Sequence, residues 1–395
     1  MIWLVATYFC SFGLYAYLAK WLPMVTPGMY AVPAVILAGI LLACSKELRL
    51  AFRSHPGMAW LGFFMTVSLG WFVAFPQSEP STEAFKHHLT MAMVFAATLT
   101  ACLVPGVLRS ARAVMAWGVV FGCLMNIWEL FYPSPYNDYG FRSAGLYTNP
   151  NDSANALVFG LLLTFGIVPK RLRTVCLILV LTGVTLTFSR SGMLMLLLVL
   201  GWFSWMGLVS WKHLLLSVSA CLGVMFILLL LFRLTDFQAV QSRFLQNGFV
   251  ERMSLKVLDY SGLDRIDIVR QGWEYMSQAP WFGHGLGSSE AWVLGYGAHN
   301  EFLMLMMDFG FWGVVIYPWL IMSLVPSNRL GVLAVLFMVI LGCFDHNLFD
   351  TLGISVCFGV LGAIRLVGPP EQGGGGPQSQ GGQASPSALS SPLKE

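Results

Sequence analysis

Apolar residues run along most of this chain in long, nearly unbroken blocks, and polar residues gather in short clusters between them. Blocks of about 18 or more apolar residues read as membrane-crossing helices, since a helix satisfies its own backbone groups without water. They fall at 1–19, 24–44, 58–76, 88–105, 113–132, 152–168, 172–189, 191–209, 214–232, 299–322, 330–346 and 352–367, which predicts twelve spans. The seventh and eighth are short and parted only by Ser189, Arg190 and Ser191. No block alternates with a period of two, which excludes an outer-membrane barrel. The first block lacks a basic leading segment and a small-residue cleavage pattern, so it is expected to be a retained span.

The fold expected is therefore an all-α, polytopic transmembrane bundle with one long helical loop outside the membrane. Residues 1–232 hold nine spans and short loops, 233–298 form the long loop, 299–367 hold three more spans, and 368–395 form a tail. That tail is rich in Gly, Ser, Gln and Pro and is expected to be disordered and cytoplasmic. The long loop is the largest soluble piece. Within it, Asp264 to Gln278 has helical apolar spacing through Ile268, Val269, Trp273 and Met276, and Ala279-Pro280 ends the pattern. A glycine-rich turn, Gly283-His284-Gly285-Leu286-Gly287, follows.

Composition strengthens the membrane reading. Of 395 residues, 57% are apolar and 10% charged, against roughly 25% charged in soluble domains, and the mean hydropathy is +0.71. A soluble globule of this size would have too few polar groups to cover itself. A cytosolic enzyme and a nucleic-acid binder are thereby excluded. The eight cysteines all lie inside apolar blocks without a Cys-x-x-Cys pair, so they read as small buried hydrophobes, not as disulfides or a zinc site.

The net charge of +3 matters less than its distribution. Lys46, Arg49, Arg53, Arg109, Arg112, Lys170, Arg171, Arg173, Lys212, Arg329, Arg365 and Lys394 collect on one side of the predicted membrane. The short connections on the other side hold only Lys20, Lys86, Arg142 and Arg190. This bias places both termini in the cytoplasm and the long loop outside. The six Lys and Arg residues of that loop are exempt, because long loops escape the rule.

Arg142 and Arg190 run against this trend. Arg190 stands in Thr187-Phe-Ser-Arg-Ser-Gly192 between two apolar blocks, where a guanidinium costs a few kcal/mol near hydrocarbon unless something anionic meets it. Snorkelling to a lipid phosphate is the plain alternative. Arg142 precedes Asn149-Pro-Asn-Asp-Ser153, a turn that suits the capping of a following helix. Arg265 sits in the first turn of the loop helix, opposed by the helix dipole unless an anion is near or Asp264 or Asp267 pairs with it.

His299 lies where the chain re-enters the membrane, at a helix start that keeps an imidazole neutral and fit to act as a base. His346, beside Asp345 at another outer helix end, is a second candidate. Arginine forks bind phosphate oxygens in pairs. A lipid-linked diphosphate would sit at this depth, and arginines would stabilise the charge that grows as a sugar leaves it. No Asp-x-Asp motif marks a metal site in the loops, so transfer without a metal or other cofactor is expected.

Four segments then resemble the O-antigen ligase/polymerase superfamily. They are Arg142-Ser-Ala-Gly-Leu-Tyr-Thr-Asn-Pro-Asn-Asp152, Thr187-Phe-Ser-Arg-Ser-Gly192, Arg265 with Pro280 ahead of Gly283–Gly287, and Ala298-His-Asn-Glu-Phe-Leu303 through Asp308-Phe-Gly310. They occur in the family's order across about 142–313, and the resemblance is strongest to the lipopolysaccharide O-antigen ligase. It implies a GT-C-like glycosyltransferase of the bacterial inner membrane with its active site facing the periplasm. The donor implied is an undecaprenyl-diphosphate-linked glycan, the acceptor a lipid A–core sugar, and the reaction inverting. By position, His299 is the base, Arg190 and Arg265 hold the diphosphate, and Arg142 and His346 support. Membrane lipids are the other partners and nucleic acid is none. Chain-extending polymerase and protein O-oligosaccharyltransferase share the donor but not the acceptor. A transporter of lipid-linked sugar is the competing class, for which Glu129, Asp152, Asp308 and Asp345 are the available intramembrane carboxylates.

Overall fold

The computed structural model describes residues 13–22, 26, 28–132, 134, 137, 142–234, 260–292, 298, 300–345, 348–349 and 351–367. These residues form helices and turns, with no strand among them. In chain order the helices are α1 (Leu14–Trp21), α2 (Gly28–Cys44), α3 (Lys46–Ser54), α4 (Pro56–Ala74), α5 (Glu79–Cys102), α6 (Val107–Phe131), α7 (Pro150–Thr164) and α8 (Arg173–Leu186). There follow α9 (Arg190–Trp205), α10 (Trp211–Leu234), α11 (Tyr260–Ser277), α12 (Ser288–Ala291), α13 (Glu301–Phe309), α14 (Phe311–Leu324), α15 (Arg329–Phe344) and α16 (Leu352–Val367). The expected tail, residues 235–259 and 293–297 of the long loop, His299 and His346 lie outside the described residues, as does the side chain of Arg265.

The all-helical expectation holds among the described residues, and the apolar blocks there are mostly helical. Helix lengths are less regular than twelve uniform spans. Among the described residues, only α4 and α6 are each long and apolar enough to cross a membrane alone, and α2 with α3 make a third candidate bent by 116°. Arg190–Trp205, Trp211–Ile227, Phe311–Leu324, Arg329–Phe344 and Leu352–Val367 are shorter apolar helices. The bend after α2 comes from Ser45, whose side chain accepts from Leu48 N at 3.1 Å and starts the charged helix α3. Helix α5 begins nine residues before its predicted block, at a reciprocal Ser78/Ser81 capping box.

The block 299–322 is two helices, not one. Gly310 breaks it with φ 62° and ψ −137°, and a Cβ there would stand 2.5 Å from Gly283 N. Only glycine fits that conformation and that approach. The predicted boundary between the seventh and eighth blocks is present between α8 and α9.

Helices α7 and α16 are buried along nearly their whole lengths and form the centre of the bundle. Phe159 of α7 meets Phe337 and Phe358 with ring centroids 4.9 and 6.1 Å apart. A Cβ on Gly359 of α16 would fall 2.6 Å from Thr98 Cβ, so a small residue sets the approach to α5. At one end of the bundle, arginines close helix C-termini. Arg112 Nε donates to Leu163 O at 2.7 Å, Arg173 Nη1 to Leu208 O at 3.0 Å, and Arg365 Nη1 to Met322 O. Cations suit these negative helix ends. The opposite end therefore collects the N-termini of α7 and α9.

Candidate active site

Helix α7 starts at Pro150 behind Asn149, whose side chain accepts from Asn151 N at 2.9 Å. Helix α9 starts at Arg190 behind Ser189, whose Oγ accepts from Gly192 N at 3.2 Å. The two starts touch, since a Cβ on Gly192 would lie 2.4 Å from Ala154 Cβ. Two positive helix ends thus converge, and such ends favour anions. Just before α9, Phe188 holds a left-handed backbone at φ 48°, a strained conformation for a bulky side chain.

Arg142 joins these two starts. Its Nε donates to Thr187 O at 2.9 Å and its Nη2 to Asn151 Oδ1 at 2.6 Å, and the side chain is buried. Arg190 differs: it is exposed at the first position of α9. Arg142, expected in a supporting part, is hydrogen-bonded within the protein framework, while Arg190, expected to hold the diphosphate with Arg265, is exposed.

Behind Arg142 lies a network around Asn126 and Glu129, the latter expected only as an intramembrane carboxylate of a transporter. Glu129 Oε2 accepts from Ala144 N at 2.7 Å and Gly145 N at 2.6 Å, while Asn137 Nδ2 donates to Oε1 at 2.8 Å. Asn126 Nδ2 donates to Gly183 O at 3.0 Å and Ser153 Oγ at 3.1 Å. Asn126 and Glu129, three apart in an apolar run, were the available signal. The buried carboxylate is matched to backbone donors, so Glu129 shapes the loop that carries Arg142.

On the other side of α7, Asn155 Nδ2 donates to Asp345 Oδ2 at 2.5 Å, and Asp152 lies within electrostatic reach of Asp345. Leu348 N donates to Glu301 Oε2 at 3.3 Å. Glu301 is buried in the first turn of α13, which Asn300 caps by accepting from Leu303 N at 3.0 Å. The described neighbours of His299 and of His346 therefore belong to one cluster with the start of α7.

The glycine-rich turn clasps the end of α13. Asp308 Oδ2 accepts from Gly287 N at 3.1 Å, and Oδ1 from Ser289 N at 2.8 Å and Ser288 Oγ at 3.0 Å. His284 N donates to Met307 O at 2.9 Å, and the His284 ring stacks on Tyr275 at 3.8 Å. Asp308 is thus committed to the turn. Helix α11, which carries Arg265, packs Ile268 and Met276 against Leu303 and Met307, and a Cβ on Gly272 would lie 2.9 Å from Leu303 Cδ2. Contacts consequently link all four sequence segments at the end of the bundle where the N-termini gather. Among the described residues, no three His, Cys, Asp or Glu side chains group as a metal site.

Residues 175–317 match the family model described as O-antigen ligase. This stretch runs from α8 into α14 and includes Arg190, Arg265, the glycine-rich turn and the segment from Ala298 to Gly310; the Arg142 segment precedes it. The match bears out the resemblance to the O-antigen ligase/polymerase superfamily over that stretch. No curated protein matches the chain.

Proposed function

We propose that this chain, carrying an O-antigen ligase segment at 175–317, is a membrane glycosyltransferase of lipopolysaccharide biosynthesis. In this reading it moves an O-antigen glycan from undecaprenyl diphosphate to a lipid A–core sugar hydroxyl. The bundle is a GT-C-like, twelve-span protein of the inner membrane with cytoplasmic termini and a site open to the periplasm. The observation that carries the reading is the meeting of the α7 and α9 N-termini, bridged by Arg142 with Arg190 exposed beside it. That is an anion-favouring end of a bundle whose opposite end is lined by arginines on helix C-termini.

The chemistry follows from the roles of these groups. The acceptor oxygen attacks the anomeric carbon, the bond from that carbon to the diphosphate oxygen breaks, and the lipid diphosphate leaves with the electron pair. His299 takes the hydroxyl proton. Arg190 and Arg265 bind the diphosphate and stabilise its growing charge. Arg142 holds Thr187 and Asn151 so that Arg190 is presented at a fixed angle, and His346 supports from the Asp345 turn. No metal is assigned a part. Asp308, one of the carboxylates a transporter reading would use, is instead engaged by Gly287 N of the glycine-rich turn and by Ser289 N and Ser288 Oγ of α12.

The test is turnover by the purified chain in proteoliposomes supplied with lipid-diphosphate glycan and lipid A–core. Glycan joined to core without nucleotide or ion gradient supports the reading. Movement of donor across the membrane with no new glycosidic bond defeats it. Extension of the lipid-linked glycan alone assigns the chain to the polymerase branch instead.

A further inference from the structure

Helix α11 has two apolar faces, and α13 covers only one. Ile268, Gly272 and Met276 pack inward on Leu303 and Met307. Ile266, Val269 and Trp273 form an adjoining stripe that is 58%, 38% and 57% exposed. The remaining arc holds Asp267, Arg270, Gln271 and Glu274, with an exposed Arg270–Glu274 pair at 3.3 Å. A helix standing in water has no cause to present isoleucine, valine and tryptophan in register beside its packed face.

The apolar stripe does not end with the helix. Trp281 and Phe282 follow it, both exposed, and the Trp281 ring lies 6.2 Å from that of Phe311. Phe311 and Trp312 open α14, an apolar helix, and are exposed in turn. Trp71 Nε1 fixes the turn by donating to Phe282 O at 2.6 Å. Aromatic residues at the mouth of apolar helices mark the headgroup level of a bilayer. An amphipathic helix continuous with that level lies in the interface plane with its apolar side among the lipids.

We propose that α11 is an interfacial helix embedded in the outer-leaflet phospholipid surface through Ile266, Val269 and Trp273, with Trp281, Phe282, Phe311 and Trp312 continuing the same contact. The helix that carries position 265 is then held at the depth of lipid phosphates. This concerns the placement of the helix and stands apart from the transfer chemistry.

The experiment uses the full chain in nanodiscs of phosphatidylethanolamine and phosphatidylglycerol. Positions 266, 269, 271, 273 and 312 are replaced singly by p-benzoylphenylalanine, and adducts are identified by mass spectrometry after irradiation. Phospholipid adducts from 266, 269 and 273 at the level given by 312, and several-fold above 271, are expected. Adduct yields at the stripe no higher than at 271 overturn the proposal, as do cross-links from the stripe to a second copy of the chain. The readout contains no glycan, so its failure leaves the transferase reading standing, and failure of transfer leaves this one intact.

Discussion

Arg190 stands at the first position of a helix, where the backbone dipole opposes a cation and nothing buries its side chain. Replacing it by lysine keeps the charge and removes the planar fork. Losing one charge-assisted hydrogen bond to a phosphate costs about 1.5–3 kcal/mol, so Arg190→Lys is expected to lower transfer by about 10- to 100-fold, read as product formation at saturating acceptor. His299→Ala is expected to lower turnover by about 100- to 10,000-fold while donor binding persists, as removal of a general base does. Near-normal turnover by that variant moves the role to His346. His55 offers a separate test by pH. Its Nδ1 accepts from Gly57 N at 2.9 Å and its Nε2 donates to Gly362 O at 3.0 Å, a neutral tautomer that caps α4. Burial first, then the charge of Arg365, holds its pKa below the ordinary histidine value. The unfolded chain therefore takes up a proton before the folded one. Stability is full above about pH 6.5 and falls as pH drops below it, and a Tm series in detergent should show His55→Gln flattening that fall.

At the scale of elements, the apolar blocks made most helices legible, and Ser189-Arg190-Ser191 marked a true boundary. The break at Gly310 was hidden because apolar residues flank it on both sides. Its cause is tertiary, the docking of Gly283 onto the end of α13. Likewise Lys46–Ser54 reads as a polar connection, and only the capping by Ser45 turns it into a helix. The role of Arg142 was illegible for a related reason. Charge against the topological trend signals that a partner exists, but it does not tell a protein carbonyl from a phosphate. Glu129 illustrates the same limit, a carboxylate in an apolar run that accepts from the backbone N–H groups of Ala144 and Gly145. Glu129→Ala strands Ala144 N and Gly145 N, and each orphaned donor costs about 1–3 kcal/mol. A lower Tm together with reduced transfer is the expected result. Gly192→Val drives a side chain into Ala154 and should destabilise by about 1–3 kcal/mol or more, with the loss of activity exceeding the loss of folded protein because two helix starts are pushed apart.

For the whole molecule, the sequence alone exposed the all-helical membrane class. The gathering of distant segments at one end became visible only through contacts such as Asn155 to Asp345 and Leu348 to Glu301. Chelation of metals by EDTA is expected to leave transfer unchanged; inhibition reversed by magnesium would refute a metal-free reaction. The 116° turn between α2 and α3 has a consequence for the protein as a whole. In the proposed orientation, a segment swung that far from a crossing helix would run along the cytosolic face, where Lys46, Arg49 and Arg53 would meet headgroups while Leu48 is buried inward. It would act as a depth stop. The height of the proposed catalytic end would then be set from across the bilayer, about 30 Å of hydrocarbon away.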